Sequence, residues 1–331
     1  MTTQATVRKL SPEDLDRAVT IDQAIVKRSR RGYFEKRLAA ALREPEQHLQ
    51  YGVDGEDGLD AILLCRTLTG EFGGKEPSVL LEIIDVADKA RGQGLARQLL
   101  SSVEADMRKR GIGQLLTQAV WSDANLLTFF AANGFRKGRR HIIDCNVSAA
   151  LAAERKAAEP ELEDEPPAEP DYGADRADDY GSLAHDPIEI RTLQADDLAD
   201  MVRIDRHVSG RDRHDYMRMK LDEALNDTAI RISQAAEIDD LLAGFLMARI
   251  DFGDFGRTEP VAILDTIDVG PEWAHHGVAT ALLLQLLVNL EALQVEHLET
   301  SVGRNDFELL RFLYHHGFEP SQRIALEKQV A

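Results

Sequence analysis

Cysteine is scarce in this chain: Cys65 and Cys145 are the two among 331 residues. They stand in no metal-ligand spacing and are too few for a disulfide framework. Both are expected as reduced, partly buried thiols, and no metal site is expected. No run of residues is long and apolar enough to cross a bilayer. The first residues, Met1 to Lys9, lack the apolar core of a secretion signal. These absences point to a reducing cytoplasm. Positive charge is short as well, with 39 Lys and Arg against 58 Asp and Glu and a formal net charge of −19. A nucleic-acid backbone or an anionic membrane surface repels such a chain, so neither is an expected partner. What is present is ordinary for a globular protein, with 44% apolar and 29% charged residues. The length fits two domains, each able to bury a core.

The chain repeats itself. One offset of 183 residues aligns its halves without a gap. Arg8, Asp14-Leu15 and Ile21-Asp22 fall on Arg191, Asp197-Leu198 and Ile204-Asp205. Phe72-Gly73, Ile84-Asp85-Val86, Gly94 and Ala96 fall on Phe255-Gly256, Ile267-Asp268-Val269, Gly277 and Ala279. Asp123, Phe129 and Gly134-Phe135 fall on Asp306, Phe312 and Gly317-Phe318. Chance does not hold one register over that distance. The expected organisation is a domain over 1–147, a linker over 148–187 and a second domain over 188–331. The linker holds twelve acidic residues against Arg155, Lys156 and Arg176, a charge of −9. Pro160, Pro166, Pro167 and Pro170 forbid one continuous helix through it. An extended, solvated segment is expected.

Each copy reads as a mixed α/β unit. A short strand (6–9; 189–192) leads to a helix for which Ser11 is an N-cap with Pro12 at its first position. A second helix is expected near 33–43 and 216–226, then strands near 49–53, 59–68 and 79–86, and near 229–234, 241–251 and 262–269. A long helix (92–109; 275–293), a strand (115–121; 297–302), a helix (125–133; 307–316) and a last strand (141–147; 324–330) close each unit. Fusion of two like copies predicts an internal pseudo-dimer and a monomer in solution.

The turn between the 79–86 strand and the long helix carries the chemistry. It runs Ala90-Arg91-Gly92-Gln93-Gly94-Leu95-Ala96. Two glycines clear side chains from a helix start, where backbone N–H groups lack intrahelical partners and point at an anion. Arg91 adds a full charge that can lie along a diphosphate. The lysine and Ser/Thr of a nucleoside-triphosphate loop are absent, and so is the Gly-x-Gly-x-x-Gly dinucleotide pattern.

Here the chain resembles the GNAT superfamily of N-acetyltransferases, whose signature Arg/Gln-x-x-Gly-x-Gly/Ala follows a strand ending in Val. Arg91 to Ala96 follows Val86 at the family's distance, and Phe129 to Phe135 matches its later helix. The resemblance implies two tandem α/β domains of mixed sheet that move an acetyl or other acyl group from acyl-CoA to an amine of a small molecule or peptide. It implies that Arg91, Gly92, Gln93, Gly94, Leu95 and Ala96 wrap the pyrophosphate of acetyl-CoA. It also implies that Ile84 and Val86 hydrogen-bond the pantetheine arm through their backbone. In the second copy Val269, Gly277, Val278 and Ala279 match, but Ala274 replaces the arginine and His275-His276 replace Gly92-Gln93. The first copy is therefore the expected cofactor site. Adjacent histidines on one turn do not make a metal site without further ligands.

Transfer needs a neutral amine. At pH 7, deprotonating a lysine costs roughly 4–5 kcal/mol and an α-amine roughly 1–2 kcal/mol. Candidate bases are the strand carboxylates Glu82 and Asp85. Strand alternation puts Glu82 (and Asp265 in the second copy) on the face of Val86, with Asp85 on the other. Where much of the family has a tyrosine to protonate the leaving thiolate, this chain has Phe130 and Leu313. Both copies carry Arg-x-Arg-x-x-Tyr (Arg28, Arg30, Tyr33; Arg211, Arg213, Tyr216). These side chains suit an anionic acceptor or equally a pin to Asp22 and Asp205. The alternative to an enzyme is an acyl-CoA-binding sensor or interaction module.

Overall fold

The computed structural model describes residues 6–55, 58–70, 76–158, 188–226 and 231–330. Phe72-Gly73 and the linker beyond 158 lie outside the described residues. The first half runs β1 (Val7–Lys9), α1 (Leu15–Val26), α2 (Arg31–Arg43), β2 (His48–Gly55), β3 (Gly58–Leu68), β4 (Ser78–Val86) and α3 (Leu95–Arg110). It continues β5 (Gln114–Val120), α4 (Ala124–Ala132), β6 (Arg136–Lys137), β7 (Arg140–Asn146) and α5 (Val147–Ala158). The second half runs β8 (Glu189–Thr192), α6 (Leu198–Ser209), α7 (His214–Asn226), β9 (Arg231–Ile238), β10 (Leu241–Asp251) and β11 (Val261–Val269). It ends α8 (Val278–Ala292), β12 (His297–Gly303), α9 (Phe307–His315), β13 (Glu319–Pro320) and β14 (Arg323–Gln329). Strands β3 and β10, β4 and β11, β5 and β12, and β7 and β14 obey the 183-residue offset at both ends.

Local chemistry sets these elements. Pro12 opens a 3-10 turn behind Ser11, whose backbone N–H donates to Asp14 Oδ2 at 2.8 Å. Helix α3 buries Leu95, Leu99, Leu100, Val103 and Met107, a stripe at helical spacing. It ends at Gly111 in the left-handed region, with Arg108, Lys109 and Arg110 facing the negative end of its dipole.

Each sheet has seven strands, in the orders β1-β2-β3-β4-β5-β14-β6 and β8-β9-β10-β11-β12-β7-β13. The closing strands are exchanged. β14 pairs antiparallel with β5 of the first half from Arg323–Val120 to Gln329–Gln114. β7 pairs with β12 of the second half from Arg140–Gly303 to Asn146–His297. The expectation that each last strand closes its own unit is corrected: each half is completed by a strand of the other.

The expectation of an extended linker from 148 is also corrected. Residues 147–158 form α5, because an alanine-rich run precedes the first proline and alanine is the best helix former. Asn146 Oδ1 accepts the Ala149 N–H at 2.9 Å, and Val147, Ala150 and Leu151 bury in the core around α8. Both cysteines are free and buried. No helix among the described residues is long and apolar enough to cross a membrane.

Candidate active site

Strands β4 and β5 run parallel and pair only at Ser78–Leu80 with Gln114–Leu116. Thr117 Oγ1 then donates to the Leu81 carbonyl at 2.9 Å, and beyond it the strands part. The second half repeats this: Ala262–Ile263 pair with Leu298–Glu299, and Thr300 Oγ1 donates to the Leu264 carbonyl at 3.0 Å. In each half the β4 or β11 edge therefore presents backbone groups to an open wedge. Ile84 and Val86 line it on the α3 side, packed against the core below; Ile267 and Val269 do so in the second half.

The wedge leads to the helix-start turn. Gly92 has φ 78° and Gly94 φ 81°. A Cβ at either would meet nothing within 4 Å, so the space before the turn is open. Helical pairing begins when Gln98 donates to the Gly94 carbonyl at 3.1 Å, which leaves the Leu95, Ala96 and Arg97 amides for an anion. Arg91 is exposed and meets the equally exposed Asp88 at 3.0 Å. The second turn has the same backbone: Gly277 has φ 83°, and His275 takes φ 65° at the position of Gly92. Keeping a side chain in that region costs roughly 1–2 kcal/mol, so the fold holds this cradle against local preference. These residues fit a diphosphate ester; the first turn does so with a cation beside it and no side chain in the way.

A register shift in β3–β4 leaves Glu82 bulged between Leu81 and Ile83, and Asp265 occupies the same place in β11. The bulge corrects the expected faces. Glu82 and Asp85 both point toward α1 and α2, opposite Val86, because one extra residue resets the alternation. Glu82 is held by Arg37 and by Arg66 Nε at 2.7 Å. Burial pushes its carboxyl up while Arg37 and Arg66 oppose the shift. Asp85 meets Asp22 of α1, and burial followed by the Asp22 charge pushes its carboxyl up; Asp268 does the same beside Asp205. Asp85 Oδ2 and Asp268 Oδ2 find no donor among the described residues. Burial and the neighbouring carboxyl favour the protonated form of Asp85 and Asp268, whose O–H would donate toward that neighbour.

The repeated Arg-x-Arg-x-x-Tyr sets join the halves. Arg30 binds buried Asp22 and the Gly253 carbonyl across the interface. Tyr33 donates to Asp254 Oδ1 at 2.9 Å. Arg213 binds Asp205 and the Gly70 carbonyl. Gly253 and Gly70 are tied to these rings: a Cβ at Gly253 would lie 2.6 Å from Tyr33, and one at Gly70 would lie 3.3 Å from Tyr216. Arg28 pairs with Glu259 at the surface, and Arg211 lies in the turn before α7 with its N–H on Ser209 Oγ at 3.3 Å. Arg30 and Arg213 make the pin to Asp22 and Asp205 and extend it to the other half; Arg28, Tyr33 and Arg211 have other partners. Phe130 and Leu313 are buried in the two cores.

Sequence reasoning missed the groups that meet across the interface. Asp254, buried, sits opposite Arg37, Arg66 and Arg249; burial works against ionisation, but these cations hold its carboxyl below the usual range. Arg257 bridges Asp251 at 2.9 Å and Glu299 at 2.5 Å. In the second half His316 Nδ1 meets Glu154 of α5 at 2.8 Å and its Nε2 meets Thr280 Oγ1 at 3.3 Å, which ties α5 to the start of α8. No sequence signal joins these positions, since the partners come from different halves or elements.

Residues 196–318 match the acetyltransferase (GNAT) family. No curated protein matches the chain. Over 99% of both chains the structure superposes on a tandem GNAT protein from the clavulanic acid biosynthesis pathway, at 16% identity and a TM-score of 0.64. It is also similar to a GCN5-related N-acetyltransferase from Sphaerobacter thermophilus (17% identity, 100% and 97% covered, TM-score 0.58). A third similar structure is a GCN5-related N-acetyltransferase from Kribbella flavida (13% identity, 99% and 72% covered, TM-score 0.53).

Proposed function

We propose that this chain, a tandem GNAT protein whose second half carries the family's sequence pattern and whose whole length takes its fold, transfers an acyl group from acyl-CoA to an amine. The observation that carries the reading is the continuous path in the first half from the open β4 edge to the cradle at Gly92 and Gly94. There Leu95, Ala96 and Arg97 offer backbone amides and Arg91 a guanidinium to the diphosphate, with Gln93 beside them. Ile84 and Val86 offer backbone groups to the pantetheine arm. Val269, Gly277, Val278 and Ala279 form the equivalent path in the second half, where the His275 side chain and the lack of an arginine weaken it. We place the cofactor in the first half.

When bound, acyl-CoA supplies an activated thioester carbonyl. The amine forms a C–N bond to that carbon as the C–S bond breaks. The sulfur leaves with the electron pair, and the amine's surplus proton passes to a carboxylate or to water. Phe130 and Leu313 provide no acid at the position where much of the family has a tyrosine. Glu82, held between two guanidinium groups, sets the charge beside the wedge. Asp85, sharing its proton with Asp22, fixes the strand to α1.

Calorimetry with CoA tests the reading. Wild type is expected to take up one equivalent. Arg91→Ala binds about tenfold more weakly, in keeping with roughly 1.5–3 kcal/mol for a hydrogen bond to a charged group. Gly94→Glu abolishes binding, and Gly277→Glu leaves it unchanged. Folded protein that takes up no CoA at millimolar ligand refutes it.

A further inference from the structure

A cavity of about 130 Å³ lies between the halves. Leu80 and Leu116 line it from one half and Ile263 from the other. Leu80–Leu116 and Ile263–Glu299 are the last rungs before the two wedges open, so the root of each wedge faces this space. An apolar cavity of roughly 150 Å³ holds benzene; the hydrocarbon part of a ligand here is of that size or smaller.

Its wall holds a charge pair that does not close. Asp265 lines the cavity with a side chain 7% exposed and meets Arg249 Nε only at 3.7 Å, outside hydrogen-bond range. Arg249 Nε is buried with no hydrogen-bond partner among the described residues. The first half shows what a closed version looks like: Glu82 is bonded by Arg66 Nε at 2.7 Å and by Arg37. In the second half aspartate is one methylene shorter, and the residue at Arg37's position is Lys220, whose amine meets Glu223 at 3.4 Å. Arg249 Nη1 also faces Asp254 Oδ2, but only at 3.8 Å, again outside hydrogen-bond range. A buried carboxylate and a buried guanidinium that have charged neighbours but no hydrogen bonds to them are costly. A ligand that brings a cation for one and an anion for the other satisfies both.

We propose that this cavity binds an aliphatic α-amino acid. Its ammonium lies on Asp265, its carboxylate on Arg249 and its branched side chain on the floor of Leu80, Leu116 and Ile263. On the acyl-transfer reading, which this deepens, that amino acid is the acceptor. Its ammonium gives one proton to Asp265, the freed amine forms the amide as the thioester C–S bond breaks, and the remaining proton leaves with CoA as its thiol.

The test is calorimetry on the full chain, without thioester, using L-leucine, isopentylamine and 4-methylpentanoate. Leucine is expected to bind at least tenfold more tightly than either single-charge analogue. Asp265→Asn removes its advantage over 4-methylpentanoate. Ala325→Leu, which fills the cavity from β14, removes binding of all three while circular dichroism stays that of wild type. Leucine binding no tighter than isopentylamine, or binding as well to Asp265→Asn, overturns the proposal. CoA titrated into the same samples separates the two ideas: CoA uptake without leucine uptake sinks this proposal alone, and leucine uptake without CoA uptake sinks the transferase alone. With acetyl-CoA added, mass spectrometry is expected to show N-acetylleucine; its absence with both ligands bound overturns the acceptor role.

Discussion

Asp85 and Asp268 each face a second carboxyl on the first helix of their half, Asp22 and Asp205, and each raised pKa follows from burial and that neighbour. The consequence for stability has a definite sign. In the unfolded chain these groups ionise near pH 4. In the folded chain they keep the proton to higher pH, so between the two values the native state binds more protons than the unfolded one. Stability therefore falls as pH rises from the ordinary carboxylate range through the raised values, and levels off above them. Asp14 and Asp197 act oppositely at the acid end, because Arg8 and Arg191 help lower their pKa, and their contribution is lost as pH falls. Asp85→Asn keeps the shape, donates an amide N–H to Asp22 and removes the titration. Thermal unfolding at constant ionic strength is expected to show wild type losing several degrees between pH 5 and pH 8. The variant loses less and is at least as stable at pH 8. An unchanged slope in Asp85→Asn would show that the pair does not share a proton.

At the scale of elements, the exchanged strands decide what the chain can do in pieces. β5 and β12 would be bare edges without β14 and β7, and exposed edges pair with whatever strand is offered. Fragments 1–158 and 188–331 are each expected to aggregate when made alone and to give a soluble one-to-one complex when made together. Size-exclusion chromatography of the separate and co-expressed fragments checks this; a soluble, folded first fragment alone would contradict it. The same exchange marks the limit of the sequence. The 183-residue register and the alternation of Val79, Leu81 and their neighbours located every long strand and every long helix except α5, because periodicity reports which face is buried, whereas α5 lies outside the repeat in a stretch read as linker. It does not report whose edge a strand joins: β7 and β14 are equivalent in pattern, and so are β5 and β12. Gly92 and Gly94 were legible because a side chain at their φ is disfavoured, whereas His275 adopts the same region with no glycine to mark it. Glu82 was found but set on the wrong face, since a bulge is one unpaired residue with no signature of its own. Asp254 and the open Asp265–Arg249 pair were not legible, because each is defined by what lies across a contact.

For the whole molecule, the halves are expected to behave as one folding unit. Their sheets share strands, and the Arg30 and Arg213 sets grip reciprocal backbone carbonyls. A charge layer of buried and half-buried groups runs through the contact: Glu82, Arg37 and Arg66 on one side, Asp254, Asp251, Arg257 and Glu299 on the other. Because each sheet is closed by a strand of the other half, unfolding of either half is expected to open the other's sheet, and the chain is expected to stay a single copy in solution. Scanning calorimetry is therefore expected to give one transition with calorimetric and van't Hoff enthalpies in agreement, and light scattering to give the 36.8 kDa of a single chain. Asp254→Ala removes the acceptor for Tyr33 and one anion from the layer. Breaking a buried pair in this way costs about 3–5 kcal/mol, so the single peak should move to lower temperature without splitting. Two separated peaks, in wild type or in the variant, would mean that the halves fold independently and that the exchanged strands contribute little to holding them together.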